Sequence, residues 1–202
     1  KRIIILNVSS RETDWRTVRS RHSLPRSSVL YDHQYGLRSN LSTSMAILEM
    51  VEKITDDIDS NKFSVDVFID LSKAFDTINH KILINKLEFY GIRGIALNWF
   101  ISYLSNRQQY VRFNGTASSR LPVTCGVPQG SILEPILVLM YINDIVNVSN
   151  LLHFILFADE TNIFMSHRDL PTLIRTLNVE LKLLNTLFIA NKLSLNIDKT
   201  HF

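Results

Sequence analysis

The chain has a single cysteine, Cys125, among 202 residues, so no disulfide can form within it. No Cys/His cluster has the spacing of a zinc finger or ribbon. A reducing, intracellular setting is therefore expected, nuclear or cytoplasmic rather than secreted. Long hydrophobic runs are also missing. The longest, "ILVLMYI" from Ile136 to Ile142, falls far short of the ~20 residues that span a bilayer. The opening "KRIIILNVSS" is basic but too briefly apolar for a signal peptide, whose apolar stretch runs to roughly 7–15 residues. No membrane association is expected. A strong charge of either sign is lacking too. The net charge is +3, which permits nucleic-acid binding without arguing for it. With 46% hydrophobic and 20% charged residues, the composition is that of a globular chain able to bury one substantial core.

What is present falls into two parts. Residues 1–32 read as an irregular, basic N-terminal segment without sustained periodicity. Its cluster Arg16, Arg19, Arg21 and Arg26 admits two readings, phosphate contacts or a solvated tail. From Ser42 the spacing of Ile47, Val51, Ile54 and Ile58 predicts a helix with one apolar face. In "KFSVDVFIDLS", Val65, Val67 and Ile69 alternate with Asp66, Phe68 and Asp70, which predicts a strand with a β-branched core face. Helices are expected over residues 80–89 and 95–104. A hairpin turning at Asn114-Gly115 follows, then a buried helix in "PQGSILEPILVLMYINDI". "LLHFILFADETNIFMS" reads as two strands meeting at an acidic pair. Leu173, Leu177, Leu181, Leu184 and Phe188 mark a long amphipathic helix, and "LSLNID" a short last strand.

Two strands thus end in acids, Asp70 and Asp159. Each alone is an ordinary strand-end or turn residue. Side by side, bare carboxylates repel and one would take up a proton. A divalent cation relieves this, and Mg²⁺ favours oxygen ligands with substrate phosphates. Two such ions roughly 3.5–4 Å apart serve phosphoryl transfer.

"HQYGLRSNLSTSMAI", "FIDLSKAFDTINH", "CGVPQGSILEPILVLMYINDI", "ILFADETNIF" and "NKLSLNIDKT" occur in that order. Together they resemble the reverse transcriptases of non-long-terminal-repeat, LINE-like retrotransposons, from about His33 onward. The resemblance implies an α+β polymerase palm over 33–202, with an antiparallel sheet backed by helices. It implies an RNA-directed DNA polymerase acting on an RNA template, a DNA primer and deoxynucleoside triphosphates. Asp70 and Asp159 would hold two Mg²⁺ ions, with Mn²⁺ as the alternative. Glu160 would be a lesser ligand, and the Leu71 backbone would lie close by. The backbone at Leu71, Lys73 and Ala74 would run along the triphosphate. Phe75 would sit under the sugar, or pack in the core. Gln129 would meet the nucleotide and template, beside Gly126 and Gly130, which allow close approach and unusual φ. It also precedes a helix whose N-terminus attracts anions. Lys199 would lie near the departing pyrophosphate, or be solvated. Arg38 would face phosphate, or cap the next helix.

The chain departs from the family pattern in three ways. Glu160 replaces the usual second Asp, and Glu134 stands where Gly is usual. The "RPIS" finger motif is not found before His33. With the end at Phe202, partial fingers and no thumb are expected, as in a truncated copy with impaired activity. One alternative is a non-catalytic remnant with the palm fold and weak nucleic-acid binding. Another is an unrelated α+β domain, which would hold residues 70 and 159 far apart.

Overall fold

A computed structural model describes residues 4–8 and 29–201. The arginines of the N-terminal basic cluster lie outside them. Ile4–Val8 forms a strand, β1, inside the segment expected to be irregular. Its backbone pairs antiparallel with Gln108–Phe113, β3. A run of four apolar residues is too short for a periodicity argument, so only its partner reveals it.

Ser42 caps the first helix, α1 (Thr43–Asp59), by accepting from the Met45 N–H at 3.3 Å. The alternating segment forms β2 (Phe63–Ile69), a one-turn helix α2 (Ala74–Thr77) follows, and then come α3 (His80–Phe89) and α4 (Gly94–Leu104). The hairpin turns at Asn114-Gly115. Both residues have positive φ, 48° and 80°, as a type I′ turn needs. Its second strand is only Thr116–Ala117 (β4), and Leu121–Pro122 (β5) pairs separately with β3. The apolar helix is α5 (Glu134–Ile142), buried at every position from Leu137 to Ile142. Next come β6 (His153–Phe157), β7 (Glu160–His167) and α6 (Leu170–Ala190), which Asp169 caps by accepting from the Thr172 N–H at 2.9 Å.

The sheet that matters has the order β2-β7-β6, all antiparallel. Alternation divides its side chains. Val67, Ile69, Phe154, Leu156, Ile163 and Met165 join the main core with α3, α4, α5 and α6. Ile155 and Phe164 face the other way, against Ala46, Met50, Ile54 and Tyr35. Tyr141, fully buried, satisfies its hydroxyl by donating to the Asn191 carbonyl at 2.6 Å.

Two expectations are corrected. Of the stripe predicted on α1, only Ile54 packs inward; Ile47, Val51 and Ile58 are 51%, 51% and 64% exposed. The helix is apolar around more than half its circumference, and small Ala46 lets the other stripe approach the sheet. The last segment is not a strand. It makes isolated bridges, Leu71 with Leu195 and Phe68 with His201, around a 3₁₀ turn at Ile197–Lys199. The long helix follows its prediction: Leu173, Leu177, Leu184 and Phe188 are buried and Leu181 partly so.

Candidate active site

Phe157 pairs with Glu160, so Ala158 and Asp159 form the two-residue turn between β6 and β7. Ala158 has φ 57°. A non-glycine residue there costs roughly 1–2 kcal/mol, so something must hold it. Buried Gln34 does so from both sides. Its Oε1 accepts from the Ala158 N–H at 3.0 Å, and its Nε2 donates to the Ala158 carbonyl at 3.3 Å. Residues 33–35 run beside β6 through two bonds with Leu156, to the His33 carbonyl (2.9 Å) and from the Tyr35 N–H (2.7 Å). Gly36 sits so close that a Cβ there would lie 2.1 Å from the Ala158 nitrogen.

The register between β2 and β7 ends at Ile69 opposite Thr161. The next residue, Asp70, therefore emerges beside Glu160 and the turn that carries Asp159. Burial raises the Asp159 carboxyl above the usual carboxylate range. The negative charge of Asp70 adds to the rise, while the residue's own backbone N–H and Lys199 oppose it. Asp70 Oδ2 accepts from Asn196 Nδ2 at 2.7 Å and lies 4.0 Å from Lys199 Nζ. Glu160 is exposed. Among the described residues, the three acids do not gather their oxygens within 4.8 Å of one another.

Comparison with known proteins decides the class. The model of the family described as reverse transcriptase (RNA-dependent DNA polymerase) matches residues 1–202. The chain belongs to the reverse transcriptase family. It is 32% identical over 123 residues to a "probable RNA-directed DNA polymerase from transposon BS" of Drosophila melanogaster, covering 58% of this chain and 13% of that protein. It is 30% identical over 111 residues to the "RNA-directed DNA polymerase from mobile element jockey" of the same fly, covering 55% and 12%. The chain thus spans about an eighth of these relatives. Likeness to several such elements makes it a LINE-like reverse transcriptase domain. A solved telomerase from Candida albicans, in complex with a fragment of telomeric RNA, shares the fold. Its TM-score is 0.57 at 15% identity, covering 92% of this chain and 33% of that one.

The other predicted site residues of this reverse transcriptase domain lie on several elements. Leu71 is buried, and the bonds of its bridge belong to neighbours: the Ser72 N–H donates to Ser194 and the Asn196 N–H to Asp70. The Leu71 amide and carbonyl therefore point away from Leu195. Lys73 is exposed, with φ 51°, and starts α2, whose Ala74 is buried. Phe75 is partly buried against the main core, and its carbonyl accepts from the Val127 N–H at 3.1 Å. Gln129 donates to Asp76 at 2.8 Å and lines a cavity of about 510 Å³ with Arg107, Thr124 and Cys125.

Gly126 has φ 78°, and a Cβ there would meet the Asp76 carbonyl at 2.8 Å; Gly130 needs only its φ of 76°. The anion-attracting N-terminus of α5 is already served. Glu134, the family's usual Gly, lies in its first turn and accepts from the Gly130 N–H. Arg38 does not cap the next helix, because Ser42 does. Its guanidinium donates to the carbonyls of Tyr31 (2.9 Å), Gln34 (3.3 Å) and Asp32 (3.4 Å). Lys199 is exposed, lies 4.0 Å from Asp70, and its charge also bears on Asp159.

Sequence reasoning missed Gln34, Gly36 and Asn196. For Gln34 and Gly36 the only signal was their place in "HQYGLR". For Asn196 it was an amide ending the alternation Leu193, Leu195.

Proposed function

We propose that this domain copies RNA into DNA, joining a deoxynucleotide to a primer 3′-hydroxyl. The placement of Asp70 and Asp159 on adjoining strand ends carries this reading. Their donors are all oxygen, and their mutual repulsion is what a hard divalent cation relieves. Two Mg²⁺ ions, when bound, would activate the attacking oxygen and stabilise the leaving one.

Asp70 and Asp159 would hold the ions, with the Leu71 backbone nearby. The Lys73 and Ala74 backbone lies along the triphosphate. Phe75 presents its ring under the sugar, where hydrogen at C2′ fits and a hydroxyl does not. Gln129 orients the incoming base pair. The primer 3′-oxygen, its proton released to solvent, bonds to the α-phosphorus, the bond to pyrophosphate breaks, and Lys199 attracts the departing charge. Arg38 we assign to bracing the 31–34 loop.

Glu160 is one methylene longer than the usual Asp. A displacement on the order of 1 Å can lower rate by roughly 10²-fold, so this copy is slow. Primer extension on an RNA template with Mg²⁺ tests the reading. Wild type should extend, Asp70→Asn and Asp159→Asn should not, and Glu160→Asp should extend faster. Extension that survives Asp70→Asn overturns the proposal. Glu160 also favours a second reading, a non-catalytic remnant that retains the palm. Activity in Glu160→Asp alone would establish it.

A further inference from the structure

We propose that His33, Glu49 and His153 form a binding site for a transition-metal ion of the zinc class, separate from the acidic pair. The three donors come from three elements. His33 precedes α1, Glu49 lies on α1, and His153 opens β6. Their sequence separations, 16 and 104 residues, match no zinc motif, so only folding brings them together.

His33 Nδ1 lies 2.6 Å from Glu49 Oε1, and His153 Nε2 lies 2.7 Å from that same oxygen. One ligand atom from each residue falls within 4.8 Å of the other two. The imidazoles meet edge to face, centroids 5.0 Å apart, and one nitrogen of each reaches the same Glu49 oxygen. Zinc with ligand distances of ~2.0–2.1 Å in tetrahedral geometry sets neighbouring donors roughly 3.3–3.4 Å apart. Each histidine need therefore retreat from the carboxylate by less than ~1 Å.

The chemistry of the set fits. Two imidazoles and one carboxylate suit zinc, copper or nickel better than Mg²⁺, which takes oxygen ligands. Three protein ligands leave a fourth position for water, and the His33 and His153 side chains are 39% and 26% exposed. An outer support exists as well. Glu49 Oε2 accepts from the Tyr35 hydroxyl, as metal-binding carboxylates are usually held.

The position gives such an ion a task. His33 adjoins Gln34, the residue that grips the Ala158 turn. The His33 carbonyl also accepts from the Leu156 N–H on β6. An ion joining residues 33, 49 and 153 would fasten that brace to the helix and the strand at once. The same side chains without an ion would be a hydrogen-bonded clamp only.

Chelator-stripped chain titrated with Co²⁺ separates the two. A tetrahedral site yields visible absorption bands at one equivalent, lost on adding Zn²⁺, and Zn²⁺ raises the melting temperature. Glu49→Gln and His153→Gln should abolish the bands. Tyr35→Phe should keep them and weaken affinity roughly 10–100-fold. Asp70→Asn with Asp159→Asn should keep them too, which separates this site from the acidic pair. Circular dichroism establishes that each variant is folded. Absence of bands and of a melting shift in folded wild type overturns the proposal, as does persistence of the bands in folded Glu49→Gln and His153→Gln.

Discussion

Gln34 and Ala158, 124 residues apart in sequence, exchange two hydrogen bonds through the alanine's own N–H and carbonyl. The grip holds an alanine at positive φ next to Asp159, so a side chain far along the chain shapes the acidic turn. Gln34→Ala would remove both bonds and the one its Oε1 accepts from the Gly36 N–H, leaving backbone groups without partners, each costing roughly 1–3 kcal/mol. The urea midpoint should fall accordingly. A midpoint equal to wild type would mean that the turn holds itself.

Gly36→Ala tests the same contact by crowding it. A Cβ would be 2.1 Å from the Ala158 nitrogen and 2.7 Å from the Phe157 carbonyl carbon, both backbone atoms that cannot swing aside. Overpacking of this kind costs typically 1–3 kcal/mol or more. Gly130→Ala meets open space and strains only its φ of 76°, so it should cost roughly 1 kcal/mol. Thermal unfolding of the pair should rank Gly36→Ala as the worse.

Asp66 gives stability a dependence on acid. Burial pushes its carboxyl up to about 6, a bond from the Val67 N–H only partly offsetting it, and its Oδ1 has no partner. The folded chain therefore holds this proton more tightly than the unfolded one. Stability from this group falls as pH rises from about 4 to about 6, and the penalty is complete above 6. Asp66→Asn should stabilise at pH 7 by roughly 1 kcal/mol, allowing for solvent screening, and flatten that part of the profile. Urea melts at pH 4, 5, 6 and 7 read it out.

The two long helices should respond oppositely at apolar positions. Leu184, 1% exposed, faces the main core. Its truncation to Ala should cost about 2–5 kcal/mol. Val51→Ala on the outer side of α1 should change the midpoint by less than about 0.5 kcal/mol.

The contrast between those helices shows what could be read in advance. In α6 the leucines Leu173, Leu177 and Leu184 and Phe188 recur at a helical period and are buried, although Ile174, Val179, Leu183 and Ile189 are exposed. In α1 the outer residues Met45, Ile47, Leu48 and Val51 are as apolar as the inner Met50 and Ile54, so periodicity allowed two faces and tertiary packing chose. The strand β2 was legible because Val65, Val67 and Ile69 alternate, whereas its pairing with β7, which sets Asp70 beside the acidic turn, was only implied by the family resemblance. The brace was not legible. Gln34, Gly36 and Asn196 act through partners at least 120 positions distant, and Gln34 and Asn196 look locally like loop polar residues.

Helix α5 has no solvent side over its last two turns, because Leu137, Val138, Leu139, Met140, Tyr141 and Ile142 are all enclosed. Tolerance to substitution should therefore lack the three-to-four-residue rhythm seen in most helices. A saturation library selected for folding should show one unbroken block of intolerance across these six positions, against a striped pattern along α6. Such a helix offers drift no neutral surface to work on.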